Sequence, residues 1–284
     1  MFYITSCKSG SETVDLKFQL GKGGKYEYAT NMDMTMNQMG MQAKTKMGVT
    51  YLFEVVGDSA GWKQLSSTIQ RVTMDVDGMG MNMSFDSDKP SADTAGPMGV
   101  TAKMFTAMKG GKFSFTMNEK GEVGSVSGIQ EMVAKMLSGN PNAEQMLASM
   151  QQTFSEENFK QNVQQSFAIY PDKPVKVGES WKKSMVMQNQ GMTIKSDNTY
   201  TLESVKGDDA AIKVASNLSS DSTAVQGVAI KVSGTSNGNM NFHVPTGLAT
   251  SGKVNMNMDM KMNAQGQEMP MKMDMIITIT GKKQ

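Results

Sequence analysis

Between residues 256 and 262 the chain reads Met-Asn-Met-Asp-Met-Lys-Met, with methionine at every second position and a polar residue between each pair. Successive side chains of a strand point to opposite faces, so this alternation puts the thioethers on one side and the polar groups on the other. Met269, Met271, Met273 and Met275 repeat it, and Asn263-Ala264-Gln265-Gly266-Gln267 between the two runs is a polar, glycine-containing connection. An antiparallel hairpin with one methionine face is expected at the C-terminus. Pro270 falls on its polar face, where the missing N–H is tolerated if the strand is an edge.

The N-terminal part follows the same period. Tyr26, Tyr28, Met32, Met34 and Met36 share one parity, and Met41, Met47, Val49, Tyr51, Phe53 and Val55 share the other, so a turn is expected at Asn37-Gln38-Met39-Gly40. A further strand runs through Trp62, Leu65, Ile69, Val72, Met74 and Val76. Asp77-Gly78 then predicts a tight hairpin or bulge before Met79, Met81, Met83 and Phe85. Residues 86–99 are polar and rich in chain breakers, which predicts a surface loop. The strand 112–117 follows, turning at Asn118-Glu119-Lys120-Gly121.

After it the period changes. Ile129, Met132, Val133, Met136 and Leu137 make one helical stripe. Asn140-Pro141 opens a second helix carrying Met146, Leu147 and Met150. Ser155-Glu156-Glu157 opens a third, with Phe159, Val163 and Phe167 on one side, ended by Pro171 and Pro174. The remainder reads as strands at 181–187, 192–205, 210–216, 225–232 and 240–244, then the methionine hairpin. Gly24-Lys25-Tyr26 to Gly57-Asp58 resembles Gly178-Glu179-Ser180-Trp181 to Gly207-Asp208, a weak internal duplication. The expected fold is mainly β, with curved, half-barrel-like antiparallel sheets and a central helical segment packed across them. Its parts are a signal remnant and tether (1–12), an N-terminal β half (13–125), the helical segment (126–168) and a C-terminal β half (169–284).

The lone cysteine, Cys7, ends Ile4-Thr5-Ser6-Cys7, the apolar, small, small, cysteine order of bacterial lipoprotein processing. Acylation there would anchor the chain, each buried CH₂ adding about 0.8 kcal/mol. Met1-Phe2-Tyr3 is too short for a signal core, so a start upstream of Met1 is expected. The address is the envelope of a Gram-negative bacterium, at the outer membrane or periplasmic face. One cysteine rules out an internal disulfide. With 28 basic and 27 acidic residues spread evenly and a net charge of +1, no basic stripe points to nucleic acid.

Catalytic chemistry finds few residues. His243, the only histidine, sits beside Pro245 at a strand end and reads as an ordinary strand or turn residue. Gly234-Thr235-Ser236-Asn237-Gly238 has nucleophile-elbow spacing, but strands flank it where a helix should follow, so a hairpin turn is expected. Asp75-Val76-Asp77-Gly78 and Asp86-Ser87-Asp88 lack the remaining ligands of a calcium loop. Methionine is the compositional anomaly, at 31 residues against 11 Phe and 2 Trp. The ladder Met256, Met258, Met260, Met262, Met269, Met271, Met273 and Met275 has three readings: pliable core packing, the lining of an apolar ligand cavity, or soft thioether donors for Cu(I) or Ag(I).

Gly23-Gly24-Lys25-Tyr26, Phe85-Asp86-Ser87, Phe115 to Gly121, Tyr170-Pro171-Asp172-Lys173-Pro174 through Trp181, and Thr246-Gly247-Leu248 resemble, in this order, an uncharacterised bacterial lipoprotein family, domain of unknown function 6263. The resemblance implies a β-rich envelope lipoprotein with no assigned activity. The function expected is therefore non-catalytic, with no cofactor and no metal firmly assigned. Its partners would be a membrane, through the N-terminal lipid, and an apolar ligand or an envelope protein. The alternative is a methionine-rich Cu(I)- or Ag(I)-binding envelope protein.

Overall fold

A computed structural model describes residues 13–78, 80–89, 96–138, 143–150, 155–189, 192–221, 223–225, 228–264 and 267–284. Cys7, Met79, Asn140 and Pro141 lie outside them. The strands are β1 (Thr13–Val14), β2 (Lys25–Gln38), β3 (Met41–Ser59), β4 (Trp62–Gly78), β5 (Met81–Asp86), β6 (Lys112–Asn118), β7 (Val123–Ser127), β8 (Val175–Lys176), β9 (Ser180–Asn189), β10 (Met192–Lys206), β11 (Asp209–Ser220), β12 (Thr223–Val225), β13 (Val228–His243), β14 (Leu248–Ala264) and β15 (Gln267–Lys283). The helices are α1 (Gly96–Met108), α2 (Ile129–Leu137), α3 (Ala143–Met150) and α4 (Glu156–Phe167).

Thirteen strands make one antiparallel sheet in the order β7-β6-β4-β3-β2-β15-β14-β13-β11-β10-β9, with β5 on β4 and β12 on β13, while β1 pairs with β8 apart. The path has two ends, so the sheet is open. Its hairpins are set by local turn chemistry. Met39 and Gly40 have φ of 51° and 82°, and Ala60 and Gly61 have 52° and 81°, the doubly positive turn that matches strand twist.

Backbone hydrogen bonds show that the sheet is rolled. Phe18 N donates to Glu119 O (2.8 Å), and the next residue, Gln19 N, donates to Thr246 O (2.9 Å). Glu119 follows β6 and Thr246 lies between β13 and β14, five strand spacings apart, which is about 24 Å on a flat sheet. Two neighbouring amides reach acceptors no more than about 10 Å apart. The Tyr170 hydroxyl tightens the same end by donating to Gly247 O at 2.9 Å. We call this end the base and the opposite end, at Met39-Gly40 and Gly80, the rim.

The base is filled. Leu16, Phe18 and Leu20, the predicted stripe Ile129, Met132, Val133, Met136 and Leu137 of α2, and Phe167, Ile169 and Tyr170 share one buried cluster with Tyr26, Val55, Leu65, Phe115, Leu202, Ile212 and Phe242 of the sheet. α4 is capped as expected, Ser155 Oγ accepting from Asn158 N at 3.2 Å.

Five expectations are corrected. Gly96 to Gly99 belong to α1, not to a loop, and Val126 and Ser127 belong to β7, not to the helical segment. Gly234 to Gly238 do not turn: they lie inside β13, paired with β11 on one side and β14 on the other. Asp77 and Gly78 still pair, with Lys44 and Ala43, so the reversal comes after them. β15 is central rather than an edge, yet Pro270 lies before its pairing with β2 begins at Met271↔Gln38, so no β2 partner is lost there.

Candidate functional site

Register carries the methionines of separate strands into rows. One row crosses the sheet as Met83, Val76, Thr45, Met34, Met275 and Met256 on β5, β4, β3, β2, β15 and β14. On its rim side lie Met36, Met273 and Met258, then Met271 and Met260, then Met269 and Met262. On its base side lie Phe85, Met74, Met47, Met32, Ile277 and Val254. Directly opposed residues share a face, and Met32, Met34 and Met36 are in phase with the buried Tyr26, so every row faces inward with the core.

The two ends of this inner face differ. At the base, aromatic and branched residues are buried, and with them Met117, Met132, Met136 and Met240. Towards the rim every ladder methionine is half-buried, as are Met32, Met34, Met36, Met47, Met74 and Met83. Among the described residues the buried core cluster does not include them, although Val232, opposite Met260, and Ala43, opposite Met36, are themselves buried. Along the opposite face the same strands carry Asp33, Lys46, Asn257, Asp259, Lys261, Lys272 and Asp274, with Asn257 Nδ2 donating to Asp274 Oδ1 at 2.6 Å and Lys261 3.0 Å from Glu268. The outward side is thus polar, the reverse of the apolar outer band of a membrane-spanning barrel.

A second, polar group lies on the inner face, and no sequence reading singled it out. Asn198, Ser216 and Ser236 stand opposite one another on β10, β11 and β13, and Ser236 stands opposite Met256. Asn198 is in phase with Tyr200, which stacks on Trp181 at 5.5 Å in the core. Ser196, Asn198, Ser216 and Ser236 are all buried. Parity within β10 could have put Asn198 and Tyr200 on one face; nothing in the sequence pairs β10 with β11 and β13.

The other candidates are occupied by structural roles. His243 Nδ1 is 2.9 Å from Thr246 Oγ1 at the base, and Met256, whose partner is Ser236, is about 23 Å away along the strand. Asp86 is gripped by Arg71 Nε and Nη2 at 3.0 and 2.7 Å, and Asp88 Oδ1 by Lys109 Nζ at 2.7 Å. The hydrogen bonds from Arg71 and from the Asp88 amide hold the Asp86 carboxyl down to about 2. Ser84 Oγ donates to Asp75. Burial pushes the Tyr200 hydroxyl up to about 12. An open depression of about 620 Å³ at the base is bordered by Trp62, Lys63, Asn118 and Glu119, away from the methionines.

An open antiparallel sheet rolled around a core at one end, with half-buried methionine rows on its inner face towards the other, defines the class. Residues 60–249 match the Family of unknown function (DUF6263), and the chain belongs to that family. No curated protein matches it. Among solved structures it is similar to one describing lipid–protein interactions in lipovitellin, at 9% identity and a TM-score of 0.53, over 94% of this chain and 26% of that one. This chain therefore spans about a quarter of lipovitellin's length. It also matches an outer membrane channel from Pseudomonas putida F1 (8% identity, TM-score 0.26, 94% and 98% covered) and the translocator domain of autotransporter NalP from Neisseria meningitidis (7%, 0.25, 92% and 89%).

Proposed function

We propose that this chain is a non-catalytic lipoprotein of the bacterial envelope, anchored through Cys7, that holds an apolar ligand on the methionine rows of its inner face. One observation carries the reading: an uncharged, methionine-rich surface over β2, β15 and β14, continued on β3 and β4 by Thr45, Met47, Met74 and Val76, lies outside the buried core cluster, half-buried. Methionine suits it, being long, unbranched and polarizable, and able to repack around chains of varying shape. The likeness to lipovitellin supports the architecture alone. The test is native mass spectrometry of the gently purified Cys7→Ser chain, which should retain a lipid-sized adduct that organic extraction removes. Protein free of adduct that also fails to take up added lipid would sink the proposal.

A second reading, Cu(I) or Ag(I) binding, draws on Met256/Met275, Met258/Met273, Met260/Met271 and Met262/Met269 standing directly opposite one another. Thioethers are soft donors suited to these ions. Stoichiometric uptake under anaerobic reducing conditions, abolished by Met→Leu at 258 and 273, would select it.

A further inference from the structure

We infer that the ligand is an uncharged lipid carrying a carbonyl, as an ester or amide, and that the Asn198 side-chain amide donates a hydrogen bond to that oxygen. The inference rests on the proposed apolar-ligand reading and names the chemistry of its occupant. Ser196 Oγ donates to Asn198 Oδ1 at 2.9 Å, so the amide oxygen is satisfied. Its nitrogen is not: Nδ2 has no hydrogen-bond partner among the described residues, in a side chain whose residue is only 5% exposed. A buried donor without an acceptor is destabilising, and an acceptor brought by a ligand would remove that penalty.

The surroundings say what kind of acceptor fits. On the row from Asn198 to Met34 the side chains are Ser216, Ser236, Met256 and Met275, and the adjoining row holds Ser196, Leu218, Gly234, Met258, Met273 and Met36. None is charged. Lys183, opposite Asn198 on β9, has its Nζ 2.7 Å from Asp172 Oδ1. A fatty carboxylate or a phosphate placed here would be desolvated without a free countercharge, which disfavours it. A neutral carbonyl avoids that. The small residues Gly234, Ser236 and Gly238 make β13 a shallow floor beside the methionine wall, and five strand spacings from β10 to β2 give about 24 Å of contour for a long chain.

Three probes of matched chain length separate the possibilities: methyl oleate, 1-octadecene and oleate, titrated into the full Cys7→Ser chain. Methyl oleate should bind most tightly, and Asn198→Leu, which keeps the number and branching of the heavy atoms, should weaken it about tenfold while leaving 1-octadecene unchanged. Infrared spectroscopy of ¹³C-carbonyl methyl oleate on the unsubstituted protein gives a readout that needs no variant to fold: the carbonyl stretch should shift to lower frequency than in hexane. Equal loss of both neutral probes in the variant, an unshifted stretch, or preference for oleate overturns the carbonyl inference and leaves the apolar reading standing. Failure of all three probes to bind overturns both.

Discussion

Tyr170 ties the rolled sheet at a single atom. Its hydroxyl is buried and donates to Gly247 O, across a base that also depends on Phe18 and Gln19. Removing the hydroxyl leaves a buried carbonyl unpaired without removing the ring, so Tyr170→Phe should cost about 1–2 kcal/mol in urea unfolding. An unchanged midpoint would mean that Gly247 finds another donor. Asp86 offers a pH-dependent test at the same scale. Its carboxyl is held down to about 2, chiefly by the Arg71 hydrogen bond. A depressed folded pKa stabilises fully above the unfolded value, near 4, and the contribution is lost as pH falls through about 2. Carboxyl NMR should show this titration, and Arg71→Met should return it towards the ordinary Asp range. A titration indifferent to Arg71 would refute the assignment.

Elements were legible where side-chain period and burial agree. The α2 stripe is buried residue for residue, and the parities of β2, β3, β14 and β15 all point the expected way, because one polar and one apolar face leave no alternative register. β13 was not legible across Gly234 to Gly238, since glycine, serine and asparagine are also what a turn contains. They serve here because the rolled sheet brings backbone close: a Cβ on Gly238 would stand 2.1 Å from Lys253 O and 2.7 Å from Val254 Cα. Gly238→Val should therefore cost about 3 kcal/mol in thermal unfolding; a wild-type midpoint would contradict a packed mid-strand position. α1 was hidden by Gly96-Pro97-Met98-Gly99. Pro97 sits in the first turn, where a missing N–H costs nothing, and Val100, Met104 and Met108, four apart, were the signal that outweighs those breakers.

At the scale of the molecule, the inner face changes in burial along the strands, and the proposed function assigns its two ends different jobs. The methionine half of the site could be read from the sequence, because its period lies within single strands. The polar half could not, because Asn198, Ser216 and Ser236 meet only through strand order, and strand order is set by how the whole sheet rolls. The division predicts opposite responses to substitution. At the base, Phe115, 2% exposed, packs in the buried cluster, and Phe115→Ala should cost about 3–5 kcal/mol. Near the rim Met260 and Met271 face each other half-buried, so water already reaches them in the free protein. The double variant Met260→Gln, Met271→Gln should keep the strand-rich circular dichroism and most of the thermal stability, since glutamine matches methionine closely in length and can hydrogen-bond to solvent. The same change removes the apolar wall, and uptake of both methyl oleate and 1-octadecene should fall together, whereas Met260→Leu, Met271→Leu preserves it. If the glutamine variant unfolds like Phe115→Ala, the rim methionines are core, and the division of the inner face into packed base and receptive rim is wrong.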